Sequence, residues 1–251
     1  MANPATLPIL LKELHLSCMA SQWGRLQEQA LANHWPLAQY LTVLCENEVA
    51  HRQSLRLQRY LKESHLPATK TLSQFDFSVC AQINPAQIAH LAQNADWVER
   101  ADNLPLFGPS GVGKTHLAAA IGHGLIEQGQ RVYYTSTTTL VQQLQLAKRE
   151  LKLMEALGKL DKYAVLILDD IGYVKKSELE TNVLFELIAH RYESGSLIIT
   201  SNQPFSEWDS IFSDTMMTVA AIDRLVHHAQ IIEIQAESYR KRQSIRRKNM
   251  S

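Results

Sequence analysis

Gly108-Pro109-Ser110-Gly111-Val112-Gly113-Lys114-Thr115 fits the pattern G-x-x-x-x-G-K-[ST], set after the apolar run Leu104 to Phe107 and before the helical run Leu117 to Leu125. Glycines in such a loop let backbone N–H groups converge on phosphate oxygens at a helix N-terminus. Lys114 is then expected to reach the β and γ phosphates of ATP and the Thr115 hydroxyl to hold Mg²⁺, with nucleotide contacts running on to His116. Downstream, Val165-Leu166-Ile167-Leu168 ends in Asp169-Asp170. Four apolar residues running into two carboxylates describe a buried strand that delivers acids to the edge where an open α/β sheet binds ligand. Asp169 is expected in the Mg²⁺ shell, and Asp170 is expected to orient and polarise an attacking water. A second carboxylate beside the metal ligand favours hydrolysis over phosphate transfer to a bound small molecule.

The elements that must position these residues follow from periodicity. From Leu104 onward short apolar runs alternate with helical stretches: Leu104 to Phe107, Val132 to Thr135, Val165 to Leu168, Leu197 to Ser201 and Ile231 to Ile234. Five strands separated by helices predict an α/β domain with a mostly parallel sheet over 104–251. Pro105 is awkward in a central strand, where its missing N–H breaks the ladder, and is expected at the strand's first residue. Residues 1–66 read as a small all-α domain, with Leu10 or Leu11, Leu14 and Cys18 at helical steps, then Leu37, Leu41, Leu44 and Cys45 after Pro36. Residues 67–103, with Pro67, Pro85 and the segment Phe75-Asp76-Phe77, read as a connector into the core.

Twenty-five Lys plus Arg balance twenty-five Asp plus Glu, so affinity for nucleic acid must come from local patches. Cys18, Cys45 and Cys80 match neither a disulfide framework nor zinc spacing. No signal-peptide core follows the N-terminus, and no apolar run is long enough to span a bilayer. A cytoplasmic protein with no membrane partner is expected.

The phosphate loop, the Asp169-Asp170 pair, Ile198-Ile199-Thr200-Ser201-Asn202 and Ala221-Ile222-Asp223-Arg224-Leu225 resemble the AAA+ ATPases of the helicase-loader and initiator branch. Within that branch the chain is most similar to IstB-type transposition helpers, with DnaC-like loaders of the replicative helicase as the alternative. The likeness covers nearly the whole chain; the segment Lys70-Thr71-Leu72 to Phe75-Asp76-Phe77 and the continuation Ile171-Gly172-Tyr173 point to the helper group. It implies an AAA+ P-loop NTPase fold, ATP hydrolysis, double-stranded DNA and a cognate transposase as partners, and assembly into a homo-oligomeric ring or spiral. It also implies that Asn202 senses the γ-phosphate or water and that Arg224 reaches a neighbouring subunit's nucleotide. Arg240 resembles a second sensor, although no helical lid domain follows it.

Three basic regions are candidates for DNA. Leu140, Leu144, Ala147, Leu151 and Met154 are expected on one helical stripe, with Lys148 and Lys152 on an adjoining face and Arg149 further round. Arg52, Arg56 and Arg59 form a second stripe, and the tail from Tyr239 to Ser251 a third. A solvated charged face is the other meaning of each.

Overall fold

The computed structural model describes residues 4–80, 82–172, 177–210, 212, 214–235 and 238–239. It divides into two compact units, one ending at Arg59 and one beginning at Tyr60.

The first unit holds α1 (Leu7–Glu13), α2 (Ser17–Ala32) and most of α3 (Leu37–Ser64). Pro36 stands just before α3 and its carbonyl accepts the first helical hydrogen bond, from Tyr40 N. Leu11, Met19, Leu26 and Leu44 form the core of this unit. Cys18 is buried as expected, but Leu10, Leu14, Leu37, Leu41 and Cys45 are exposed. The reason is local: α1 stops at Glu13 and His15 takes a left-handed φ of 57°, so Leu14 and Cys18 do not share one helix.

Glu48 is buried in this unit, accepting from Met19 N at 3.0 Å and from Arg52 Nε at 2.9 Å, while Arg52 Nη2 donates to His15 O at 2.7 Å. Burial alone would raise the Glu48 pKa, but the Met19 N–H and the Arg52 guanidinium overcome it and hold the carboxyl below its usual value. A depressed folded-state pKa stabilises the fold at pH above the unfolded value, and that stability is lost as pH falls through the folded value. Glu48→Gln is therefore expected to lower stability at neutral pH by about 1–3 kcal/mol and to flatten the acid limb of the unfolding profile below pH ~4.5. Thermal unfolding between pH 7 and pH 3 reads this directly.

The second unit is built on five parallel strands: β1 (Leu104–Phe107), β2 (Val132–Ser136), β3 (Val165–Asp169), β4 (Ser196–Ser201) and β5 (Ile232–Glu233), in the order β2-β3-β4-β1-β5. Pro105 is the second residue of β1, not the first. Asn103 bonds to His228 and Gln230, and Phe107 O accepts from Ile234 N, so residues 103, 105 and 107 face β5. The missing N–H of Pro105 thus falls on the side of the short edge strand, beyond its paired residues, and the ladder to β4 is intact.

Among the described residues six further helices lie among the strands or before them: α4 (Pro85–Gln93), α5 (Asp96–Glu99), α6 (Lys114–Glu127), α7 (Thr137–Arg149), α8 (Leu153–Leu160) and α9 (Glu178–Arg191), followed by α10 (Thr215–Val226). Within 67–103, Ile88, Leu91 and Ala92 of α4 are buried, and a Cβ at Gly124 of α6 would come 2.7 Å from Ala92, so α4 crosses α6 backbone to backbone. Leu140, Val141, Leu144, Leu157, Leu184, Leu187 and Leu225 join β3 and β4 in the main core.

The single helical stripe through Met154 is not what forms. α7 ends at Arg149, Leu151 takes φ 60° with 95% of its surface exposed, and α8 begins at Leu153. The heptad-like spacing concealed a turn because no Gly or Pro marks it. Among the described residues no helix is long and apolar enough to cross a membrane.

Candidate functional site

The parallel register brings three strand ends level. Phe107 pairs with Ser201 and Leu168 with Ile199, so the loop after β1, Asp170 after β3 and Asn202 after β4 emerge together at the carboxyl edge of the sheet. Because β4 lies between β1 and β3, Asn202 stands between the glycine loop and the two carboxylates.

The loop Gly108–Thr115 turns through glycines with φ 146° at Gly108 and φ 102° at Gly113, the residue that caps α6. A Cβ on Gly108 would overlap the Ile234 carbonyl, and one on Gly113 would come 2.7 Å from the Phe75 ring, so both positions need glycine for space as well as for conformation. Lys114 opens α6 and is buried, its Nζ donating to Gly108 O at 2.7 Å, Pro109 O at 2.9 Å and Asn202 Oδ1 at 2.7 Å. Thr115 Oγ1 donates to Asp169 Oδ1 at 2.9 Å.

Asp169 is held from three sides. Its Oδ1 also accepts from Thr200 Oγ1 at 2.6 Å, and its Oδ2 accepts from Tyr134 OH at 2.7 Å. Burial first, then the bond to Asp169, raises the Tyr134 pKa, so the phenol keeps its proton and acts as a donor. Asp170 adopts a left-handed φ of 63°, with its N–H donating to the Thr200 hydroxyl at 2.8 Å. One buried threonine hydroxyl therefore holds the Asp169 carboxylate and the Asp170 backbone.

Beside these residues lies a cavity of about 540 Å³ whose walls include Ser110 to His116, Asp170, Thr200 and Asn202. Its other wall comes from the segment before the core: His116 Nε2 lies 2.8 Å from Thr71 O, and the Phe75 ring meets the His116 ring edge-on at 5.2 Å. Tyr239 N donates to Gly111 O at 3.0 Å and closes the rim. Sequence reasoning missed Tyr134, Thr200, the bond of Thr71 to His116 and the wall role of Phe75. Thr200 carried a signal, a polar residue inside the fully buried strand Ser196–Ser201; Tyr134, one of two tyrosines in β2, carried none.

The remaining candidates lie elsewhere. Arg224 on α10 is half-buried, its Nη1 donating to Ala220 O at 2.8 Å and its guanidinium 5.2 Å from the Phe185 ring centre, and it is absent from the described cavity wall. Lys148 Nζ is 2.6 Å from Glu186 of α9, Lys152 is 3.3 Å from Glu150, and Arg149 is exposed at the end of α7. Arg52 is engaged with Glu48 and His15 O, whereas Arg56 is exposed. Arg240 and the rest of the tail lie outside the described residues.

A phosphate loop opening a helix, a strand-end carboxylate pair and an asparagine from the strand between them define a P-loop nucleotide-binding protein, and its fold is of the AAA+ kind. The fold agrees: the DnaC helicase loader superposes with a TM-score of 0.56 at 22% identity, covering 70% of this chain and 98% of that one. AMPPCP-bound DnaA from Aquifex aeolicus gives 0.55 at 19% identity, covering 68% and 51%. At the level of sequence, the profile described as IstB-like ATP binding protein matches residues 9–247, and the chain belongs to that family. A protein of Sinorhizobium fredii named as an insertion sequence ATP-binding protein is 50% identical over 246 residues, covering 98% of this chain and 83% of the relative. One of insertion sequence IS5376 from Geobacillus stearothermophilus is 37% identical over 230 residues, covering 92% and 91%.

Proposed function

We propose that the chain is an ATP-hydrolysing, DNA-binding helper of an insertion-sequence transposase, acting as a homo-oligomer in the cytoplasm. The observation that carries the reading is the convergence of Lys114, Thr115, Asp170 and Asn202 on one cavity, with Asp169 bonded to Thr115, in a chain whose relatives are named for insertion sequences. ATP phosphates dock at the N-terminus of α6, where loop N–H groups and the helix dipole favour negative charge. Lys114 exchanges its loop carbonyls for phosphate oxygens. The Thr115 hydroxyl and Asp169 carboxylate are hard oxygen donors 2.9 Å apart, a set that suits Mg²⁺. A Mg²⁺ held by Thr115 and Asp169 would supply charge neutralisation to the phosphates. Asp170 takes the proton of the attacking water, Asn202 orients the γ-phosphate or that water, and Arg224 of a neighbouring copy stabilises the charge that develops.

Residues 1–66 carry self-assembly and transposase recognition. The exposed apolar residues Leu37, Leu41, Cys45 and Val49, four residues apart along α3, support this. Duplex DNA is gripped by the α7–α8 region through Lys148, Arg149 and Lys152 and by the arginines of α3, without base-reading contacts.

The test is a strand-transfer assay with a cognate insertion-sequence transposase. ATP-dependent stimulation is expected, together with DNA binding whose log–log salt slope flattens by about 0.9 for each phosphate contact removed, as in Lys148→Ala with Lys152→Ala. Capture of a replicative helicase with no effect on strand transfer would replace the transposase by that helicase. An unchanged slope would return the two lysines to their ion pairs with Glu186 and Glu150.

A further inference from the structure

Five helix ends among the described residues close in the same way, with one N–H reaching back five residues and the preceding N–H reaching back three. The residues held in the left-handed conformation at these ends are His15, His34, Ala101, Gly129 and Leu151, with φ between 50° and 82°. Glycine is the usual occupant, and histidine is among the residues enriched there. Leucine is neither. At the end of α7, Lys152 N donates to Ala147 O at 2.8 Å and Leu151 N to Lys148 O at 3.1 Å, so the motif is fully formed around a large apolar residue. Its Cβ is crowded by the backbone, and with 95% of its surface exposed the side chain buries nothing in return.

Leu146 and Met154 are also exposed at this turn, and Lys148, Arg149 and Lys152 surround it, with Glu150 paired to Lys152. An apolar tip among cations fits a polyanion that also offers an apolar slot. Duplex DNA has both, because a base step can be partly unstacked by an inserted leucine while flanking cations take the phosphates. We infer that the α7–α8 turn is a DNA wedge in which Leu151 inserts at a base step and Arg149 and Lys152 hold the backbone on either side. The inference rests on the DNA-binding part of the proposed function. It explains why this position holds leucine when glycine suits its conformation better. A wedge also bends the duplex, so each copy would contribute distortion as well as grip.

The experiment uses the full chain with ATP and a mixed-sequence duplex carrying 2-aminopurine, whose fluorescence rises when its step unstacks. Wild type should raise the signal. Leu151→Gly and Leu151→Asn, both suited to the left-handed backbone, should bind about tenfold more weakly or worse, since a buried leucine is lost. They should raise no fluorescence and keep the wild-type salt slope, because no phosphate contact is removed. Their unfolding temperature should equal or exceed that of wild type. Unchanged affinity and fluorescence, or a lower unfolding temperature that reveals a packing role, would overturn the wedge. So would loss of transposase stimulation with intact DNA binding, which assigns Leu151 to a protein partner. Wild type that binds no duplex at any salt would instead overturn the DNA-binding reading beneath it.

Discussion

Alanine at Arg224 is expected to cut ATP turnover by about 10³- to 10⁵-fold while leaving nucleotide affinity of the isolated chain nearly unchanged, the range for an arginine finger supplied in trans. The argument is positional. Arg224 sits in the last turn of α10, donates to Ala220 O and packs over Phe185, and it does not belong to the described wall of the cavity in its own chain. If it acts at all on phosphate, it acts on the nucleotide of another copy. Its local contacts are weak competitors: one carbonyl and one aromatic face can be exchanged for a γ-phosphate at small cost. Mixing provides the decisive measurement. Arg224→Ala combined with Asp170→Asn should regain turnover in mixed assemblies, since an interface between the two can join an intact Asp170 to an intact Arg224. Absence of recovery, with mixed assembly confirmed by differently tagged chains, would remove Arg224 from the shared site.

The glycine loop and the carboxylate pair were legible in sequence because each is a local signal read against a strong context. Apolar strand residues precede both, and the chemistry needs those residue types at those places. Strand positions were legible for the same reason, β1 and β3 matching their apolar runs apart from one terminal residue. What escaped was contributed by residues brought in from a distance. Tyr134 reaches Asp169 across two neighbouring strands, 35 residues apart in sequence, and Thr71 reaches His116 across 45. The α7–α8 turn escaped for a different reason. Its stop signal is a left-handed leucine, and sequence rules look for glycine there. The N-terminal stripe was half right, since a three- and four-residue spacing announces a helix without saying which of two adjacent apolar rows is covered. Lys148 illustrates the limit for charges: its pairing with Glu186 depends on how α7 meets α9, which spacing along one helix cannot reveal.

Separate loss of binding and of turnover is the second large effect expected. Lys114→Ala should weaken ATP binding by roughly 10²-fold or more, because a charged donor worth about 1.5–3 kcal/mol per hydrogen bond is removed from a phosphate site. Part of that loss is organisational: the same ammonium ties Gly108 O, Pro109 O and Asn202 Oδ1 together, so the loop and the asparagine lose their common anchor. Asp170→Asn should behave in the opposite way, keeping affinity and losing about 10²- to 10⁴-fold in turnover, the worth of a positioned general base. The choice of asparagine is dictated by the backbone. At φ 63° Asp170 is in the left-handed region, which asparagine tolerates and alanine resists, so the amide variant keeps the bond from its N–H to Thr200 and changes only the side chain's chemistry. Equilibrium titration with a fluorescent ATP analogue beside a phosphate-release assay measures both quantities on the same preparations. Normal turnover by Asp170→Asn would move the base to another residue of the cavity, while normal binding by Lys114→Ala would deny that the loop at the head of α6 is where the phosphates sit.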